Sequence, residues 1–161
     1  MAILPIRLYP DPILRKKSEN VTKITRHIIS LCYSLIQTMD KQKHGIGIAA
    51  PQVGVLKRVA IVDVSKRVKG AQRLVLINPT IVTFSESCLS REGCMSLPEY
   101  SADLSRYRAV RVRYLDLKGN LREKHCEGIE AVCMQHETDH LDGLLFFDRV
   151  SCLKTDLFPR R

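Results

Sequence analysis

A chain of 161 residues, 45% hydrophobic and 27% charged, has the composition of an ordinary globular protein, and its length suits one domain over residues 1–161. No apolar run approaches the ~18 residues needed to span a bilayer. The opening Met1-Ala2-Ile3-Leu4-Pro5-Ile6 lacks both the basic region and the long apolar region of a signal peptide, so the expected address is cytoplasmic. A net charge of +9 favours polyanionic surroundings such as ribosomal RNA. The basic residues are scattered, however, and nothing marks a specific DNA-binding groove.

Tyr9-Pro10-Asp11-Pro12 reads as a turn or a short helix start. From Thr22 to about Lys43, Ile24, Ile28, Leu31, Leu35 and Met39 recur at steps of three and four, which predicts an amphipathic helix with Gly45 as its stop. Gly45 to Gly54, poor in bulky side chains over its first half, reads as a turn before a strand that permits close approach by another backbone or a ligand. Short β-like runs follow at 59–62, 74–77 and 80–84. Val110, Val112 and Tyr114 alternate with Arg111 and Arg113 as a half-buried strand, and Asp116 to Asn120 reads as a hairpin turn. A second helix is expected over Gly128–Leu141. This order predicts an α+β fold, in which antiparallel strands pack around the second helix.

Six cysteines are present: Cys32, Cys88, Cys94, Cys126, Cys133 and Cys152. In a reducing compartment most would be buried thiols, with at most one or two doing chemistry.

The sharpest chemical signal is His136-Glu137-Thr138-Asp139-His140 on that second helix. Positions i and i+4 share a helix face, so both imidazoles can reach one metal ion, and the glutamate beside the first can reach a water there. The same face carries Ile129, Val132 and Cys133, which a solvated polar helix would not. A catalytic site of this kind wants a third protein ligand. Cys94, in a bent segment between Gly93 and Pro98, is the leading candidate, since a thiolate is a strong ligand for a borderline metal. Cys133, one turn before His136, is its main rival.

Three segments together resemble the signature motifs of the peptide deformylase family: Gly45 to Gln52, Glu92 to Ser96, and Gln135 to His140. They stand in the family's order and spacing, and the resemblance runs from about Leu8 to Leu153. It implies a metal held by Cys94, His136 and His140, usually ferrous iron, with zinc, nickel or cobalt able to substitute. Glu137 would serve as general base and then acid, while the Gln52 amide and the Met95 N–H would face the developing oxyanion. Gly45, Gly47, Ile48 and Cys133 would border a formyl-methionyl nascent peptide, paired like an added strand, with His136 and Ile48 among the walls of the methionine pocket.

Two departures stand out. The tail, about 150–161, is short and carries Pro159, so only a single turn is expected there and not the long helix with which many bacterial members end. That leaves surface electrostatics as the means of meeting a ribosome. Arg91 stands where an acidic residue is common. The competing readings are a zinc peptidase of the His-Glu-x-x-His type, a non-catalytic metal-binding module and a redox sensor. After His140 there is no histidine or glutamate to complete the first, and Glu137 and Gln52 are both present, which argues against the second. Oxidation of a thiolate beside ferrous iron reads as a liability of the enzyme and not its purpose.

Overall fold

The computed structural model describes residues 2–160 as a mixed α/β fold with antiparallel sheets. Asp11 accepts the Ile13 N–H at 3.0 Å and starts a 3-10 turn over Pro12–Arg15. Helix α1 spans Arg26–Asp40, and Thr25 caps it by accepting the Ile28 N–H. The helix is thus shorter than the apolar pattern suggested and ends before Gly45. Gly45 instead lets the chain pass close to the helix end, since a Cβ there would sit 2.9 Å from the Met39 carbonyl.

Two sheets follow. The first has the order β1 (Gly47–Ala49), β2 (Val59–Val62), β3 (Leu74–Phe84), β6 (Ala109–Leu115), β7 (Leu121–Glu127). The second has the order β4 (Ser87–Cys94), β5 (Leu97–Tyr107), β8 (Leu157–Pro159). Helix α2, Gly128–Leu141, follows β7 directly, and a one-turn helix α3, Leu153–Asp156, precedes β8. No helix among the described residues is long and apolar enough to cross a membrane.

The apolar run of β2 is buried along its whole length because the first sheet is covered on both faces. Val59 and Ile61 pack with Leu35 and Met39 of α1, while Ala60 and Val62 pack with Ala131 and Met134 of α2. Strand β1 obeys the same alternation. Gly47 and Ala49 face α2, and Ile48 faces α1.

Other elements also differ from the sequence expectation: Gly45 to Gly54, read as a turn before a strand, instead holds β1 followed by a 3-10 turn over Ala50–Val53. The runs 74–77 and 80–84 form one strand, with a register shift at Asn78-Pro79, where proline cannot donate to the ladder. Asn78 takes the left-handed conformation at φ 51 and clamps Val21, with both hydrogen bonds at 2.8 Å. The β4–β5 hairpin escaped prediction because its serines, arginines and acids leave apolar alternation only at Ala102 and Leu104. The tail does more than form a single turn, since β8 pairs with β5 through Ser101↔Phe158. The 116–120 turn forms as expected: Asp116 Oδ1 accepts the N–H groups of Lys118 and Asn120, each at 2.9 Å, and Gly119 supplies φ 82.

Candidate active site

Helix α2 and the end of β4 build the site. The helix presents His136, Glu137 and His140, and a register shift between Gly93 and Cys94 turns the strand's last residue towards them. Cys94 Sγ lies 3.2 Å from His140 Nε2. One donor atom from each of Cys94, His136 and His140 falls within 4.8 Å of the others. Tetrahedral coordination, with metal–sulfur and metal–nitrogen bonds of ~2.3 and ~2.05 Å, separates donors by roughly 3.5 Å. The donor set is soft and borderline, and its spacing fits a divalent transition metal. Burial opposes ionisation of Cys94, but the neighbouring imidazoles of His140 and His136 hold the thiol well below its usual range.

Cys133 does not join this group. Its Sγ donates to the Ile46 carbonyl at 3.3 Å, and burial pushes its thiol well up. It lines the cleft as an apolar surface. All six cysteines are unpaired, and Cys32, Cys94, Cys126 and Cys133 are buried.

Glu137 is buried, and its Oε2 has no partner among the described residues. Burial raises its carboxyl to about 7, against the pull of His136 and His140. A buried carboxylate with an unsatisfied oxygen in a cleft is costly for stability alone and suited to proton transfer near neutrality. It can sit there because residue 47 is glycine: a Cβ at Gly47 would overlap Glu137 Oε1 and lie 2.6 Å from Cys133 Sγ.

Gln52 comes from a 3-10 turn over Ala50–Val53. Its Oε1 accepts the Ala49 N–H at 2.9 Å, which fixes the amide so that Nε2 donates to Ser96 Oγ at 3.1 Å and towards Cys94 Sγ at 3.5 Å. Met95 begins the two-residue turn between β4 and β5, and its N–H has no acceptor among the described residues.

Beneath the donors runs a buried ionic network. His136 Nδ1 lies 2.8 Å from Glu92 Oε2. A carboxylate can only accept, so Nδ1 carries the proton and Nε2 keeps its lone pair for the donor cluster. Arg106 holds Glu92 with two hydrogen bonds, at 2.7 and 3.0 Å, and reaches Asp139 at 2.6 Å. Arg149 grips Asp139 with two more at 2.6 Å. Burial would raise the Glu92 carboxyl, yet His136 and Arg106 bring it down to about 2. Sequence reading placed Glu92 in a motif but gave Arg106 and Arg149 no role. The available signal was a charge at residue 106, in phase with the inward-facing Ala102 and Leu104.

These residues close one end of a cleft of about 720 Å³. Gly45, Gly47, Gln52, Cys94, Met95, Cys133, His136 and Glu137 line it. Ile48, expected at its wall, does not. Its side chain is fully buried in the α1 core because alternation along β1 turns it away from Gly47. Arg67 and Arg160 line the cleft and were not foreseen.

A thiol, two imidazoles and a poised carboxylate at the foot of a peptide-sized cleft make the arrangement of a metal-assisted hydrolase. The family described as polypeptide deformylase matches residues 3–156. The chain is 45% identical over 161 residues to a peptide deformylase of Thermodesulfovibrio yellowstonii, spanning all of this chain and 97% of that protein. It is 43% identical to one of Rhizobium meliloti, over all of this chain and 92% of that one. The crystal structure of a peptide deformylase from Thermotoga maritima superposes with a TM-score of 0.87 at 36% identity, covering 94% of this chain and all of that one. That of the Synechococcus elongatus peptide deformylase with actinonin gives 0.86 at 37% identity, over 94% of this chain and 82% of that one. The chain belongs to the polypeptide deformylase family.

Proposed function

We propose that this enzyme, a single catalytic domain over 1–161, hydrolyses the N-formyl group of formyl-methionyl nascent peptides and releases formate. One observation carries the reading: the donor cluster Cys94, His136 and His140 lies beside a buried carboxylate, Glu137, with an unsatisfied oxygen in a cleft.

Cys94, His136 and His140 hold the metal, with iron, zinc, nickel and cobalt all compatible with the donor set. When bound, a divalent cation supplies Lewis acidity, lowering the pKa of water and polarising a carbonyl. Glu137 takes the proton that water loses on attack and returns it to the departing amine. The Met95 N–H, with no acceptor among the described residues, and the Gln52 Nε2 donate to the oxygen that gains charge.

The peptide adds as a strand along β1, which is the edge of its sheet. The Asp63 N–H donates to the Ile46 carbonyl, so Ile46 and Ile48 face β2 and the Gly47 backbone groups face the open edge. Ile129, Val132, Cys133 and His136 form the wall for the methionine side chain. The reading places the enzyme in the cytoplasm, where its net charge of +9 favours the ribosome surface.

Formate release from a formyl-Met peptide by metal-loaded protein tests this, with Glu137→Gln alongside. The variant is expected to keep its metal and lose about 10²–10⁴-fold in rate. An acetyl-Met peptide should be cleaved far more slowly, because hydrogen is the smallest acyl substituent. Absence of formate from metal-replete parent protein would overturn the proposal.

A further inference from the structure

Three arginines line the cleft: Arg67, Arg91 and Arg160. Arg91 is already committed. It binds Asp103 with two hydrogen bonds, at 2.7 and 2.8 Å, and its guanidinium stands 4.3 Å from the Phe158 ring centre. Arg67 and Arg160 have no acidic partner among the described residues. The two acids that line the cleft do not offer one. Glu92 is held by Arg106 and His136, and Glu137 is buried at the floor.

Arg160 is held in place. Strand β8 pairs with β5 through Tyr100↔Pro159 and Ser101↔Phe158, and the Arg160 N–H donates to the Glu99 carbonyl at 2.7 Å. Arg91, on β4, caps Phe158 and fastens the same segment from its other side. The Arg160 side chain then crosses β5 to Gly93, the cross-strand partner of Ser101. Its guanidinium occupies the space where a Cβ at residue 93 would be, so the glycine admits it. The result is a cation beside Gly93 of β4, one residue from the ligand Cys94, in a cleft that is also lined by Gly47 on the edge strand β1.

We infer that Arg160 is a specificity-determining residue that recognises a carboxylate on the peptide beyond its formyl-methionine. This rests on the deformylase reading above. A peptide running extended from the donor cluster between β1 and β4 passes this guanidinium, which is planar, permanently charged and shaped for a carboxylate. The carboxylate comes from an acidic side chain after the methionine or from the C-terminus of a short peptide. Because Arg160 is exposed, its effect is modest and sensitive to salt.

The test compares kcat/KM for formate release by the full, metal-loaded chain at low ionic strength. The substrates are formyl-Met-Ala-Ala amide, formyl-Met-Glu-Ala amide, formyl-Met-Ala-Glu amide, and formyl-Met-Ala as free acid and as amide. At least one carboxylate peptide is expected to exceed its neutral counterpart by about three- to tenfold, the ratio shrinking in ~0.5 M salt. Arg160→Ala should bring that ratio to about one, Arg160→Glu below one, and Arg160→Lys should keep most of it. An advantage for the capped acidic peptides assigns the side chain as source, and one confined to the free acid assigns the C-terminus. A ratio of one for every pair in the parent, or one that survives in Arg160→Ala, overturns the inference while leaving deformylation intact. No formate even from the neutral amides overturns both.

Discussion

The carboxylate of Glu92 and the imidazole of His136 meet at 2.8 Å, joining β4 to α2 directly behind the donor cluster. This bond fixes the ring's tautomer and its orientation. Replacing Glu92 with glutamine removes the charge that makes the imidazole a better ligand, so Glu92→Gln should weaken metal retention by about 10–100-fold. Competition with a chelator, read by metal content, measures this. Equal retention in parent and variant would mean that the helix alone orients His136.

Arg106 is the hub on which two buried carboxylates depend. Arg106→Met leaves Glu92 and Asp139 without it, although His136 and Arg149 still hold one each. The expected loss is about 3 kcal/mol of unfolding free energy, at the low end for a broken buried pair. Urea denaturation checks the figure. A loss under about 0.5 kcal/mol, the range of ordinary surface changes, would show that the arginine is dispensable.

Gly47→Ala adds a methyl group where Glu137 and Cys133 already stand, with Cys133 Sγ only 2.6 Å away. Overpacking of this kind costs about 1–3 kcal/mol. Displacing Glu137 by even 1 Å should lower kcat/KM by about 100-fold. Steady-state kinetics beside a thermal melt separates the two effects, and a fully active, stable variant would contradict the close approach.

Asp63 links pH to stability away from the site. Burial favours its neutral form, but hydrogen bonds from Ser65 and Arg73 prevail and hold the carboxyl below its ordinary value. A depressed folded pKa contributes stability above the unfolded value of about 3.9 and loses it as pH falls through the folded one. Asp63→Asn should therefore cost on the order of 1 kcal/mol at pH 7. The gap between variant and parent should close below about pH 4. Denaturation curves across that range measure it, and a gap that widens on acidification would reverse the sign.

Much of the site was legible along the chain. His136, Glu137 and His140 were readable because helix geometry converts a spacing of four into a shared face. The run 59–62 and the alternation at 110–114 were readable because strand geometry converts apolar pattern into burial. The same rule exposes the error at Ile48, since a period of two puts it on the opposite face of β1 from Gly47. The β4–β5 hairpin stayed hidden because its mixed polar sequence carries that period in apolar residues only at Ala102 and Leu104.

The sequence by itself therefore determined the local chemistry: two imidazoles and a carboxylate on one helical turn, and a segment around residue 47 with little side-chain bulk. Tertiary structure decided everything that joins segments far apart in the chain. It chose Cys94 over Cys133 as companion to His140, across 46 positions. It made Arg106 the bridge between Glu92 and Asp139, and it laid Arg160 against Gly93. The reason is physical. Backbone periodicity acts within a few residues, whereas these contacts exist only once two sheets and a helix have packed and excluded water between them.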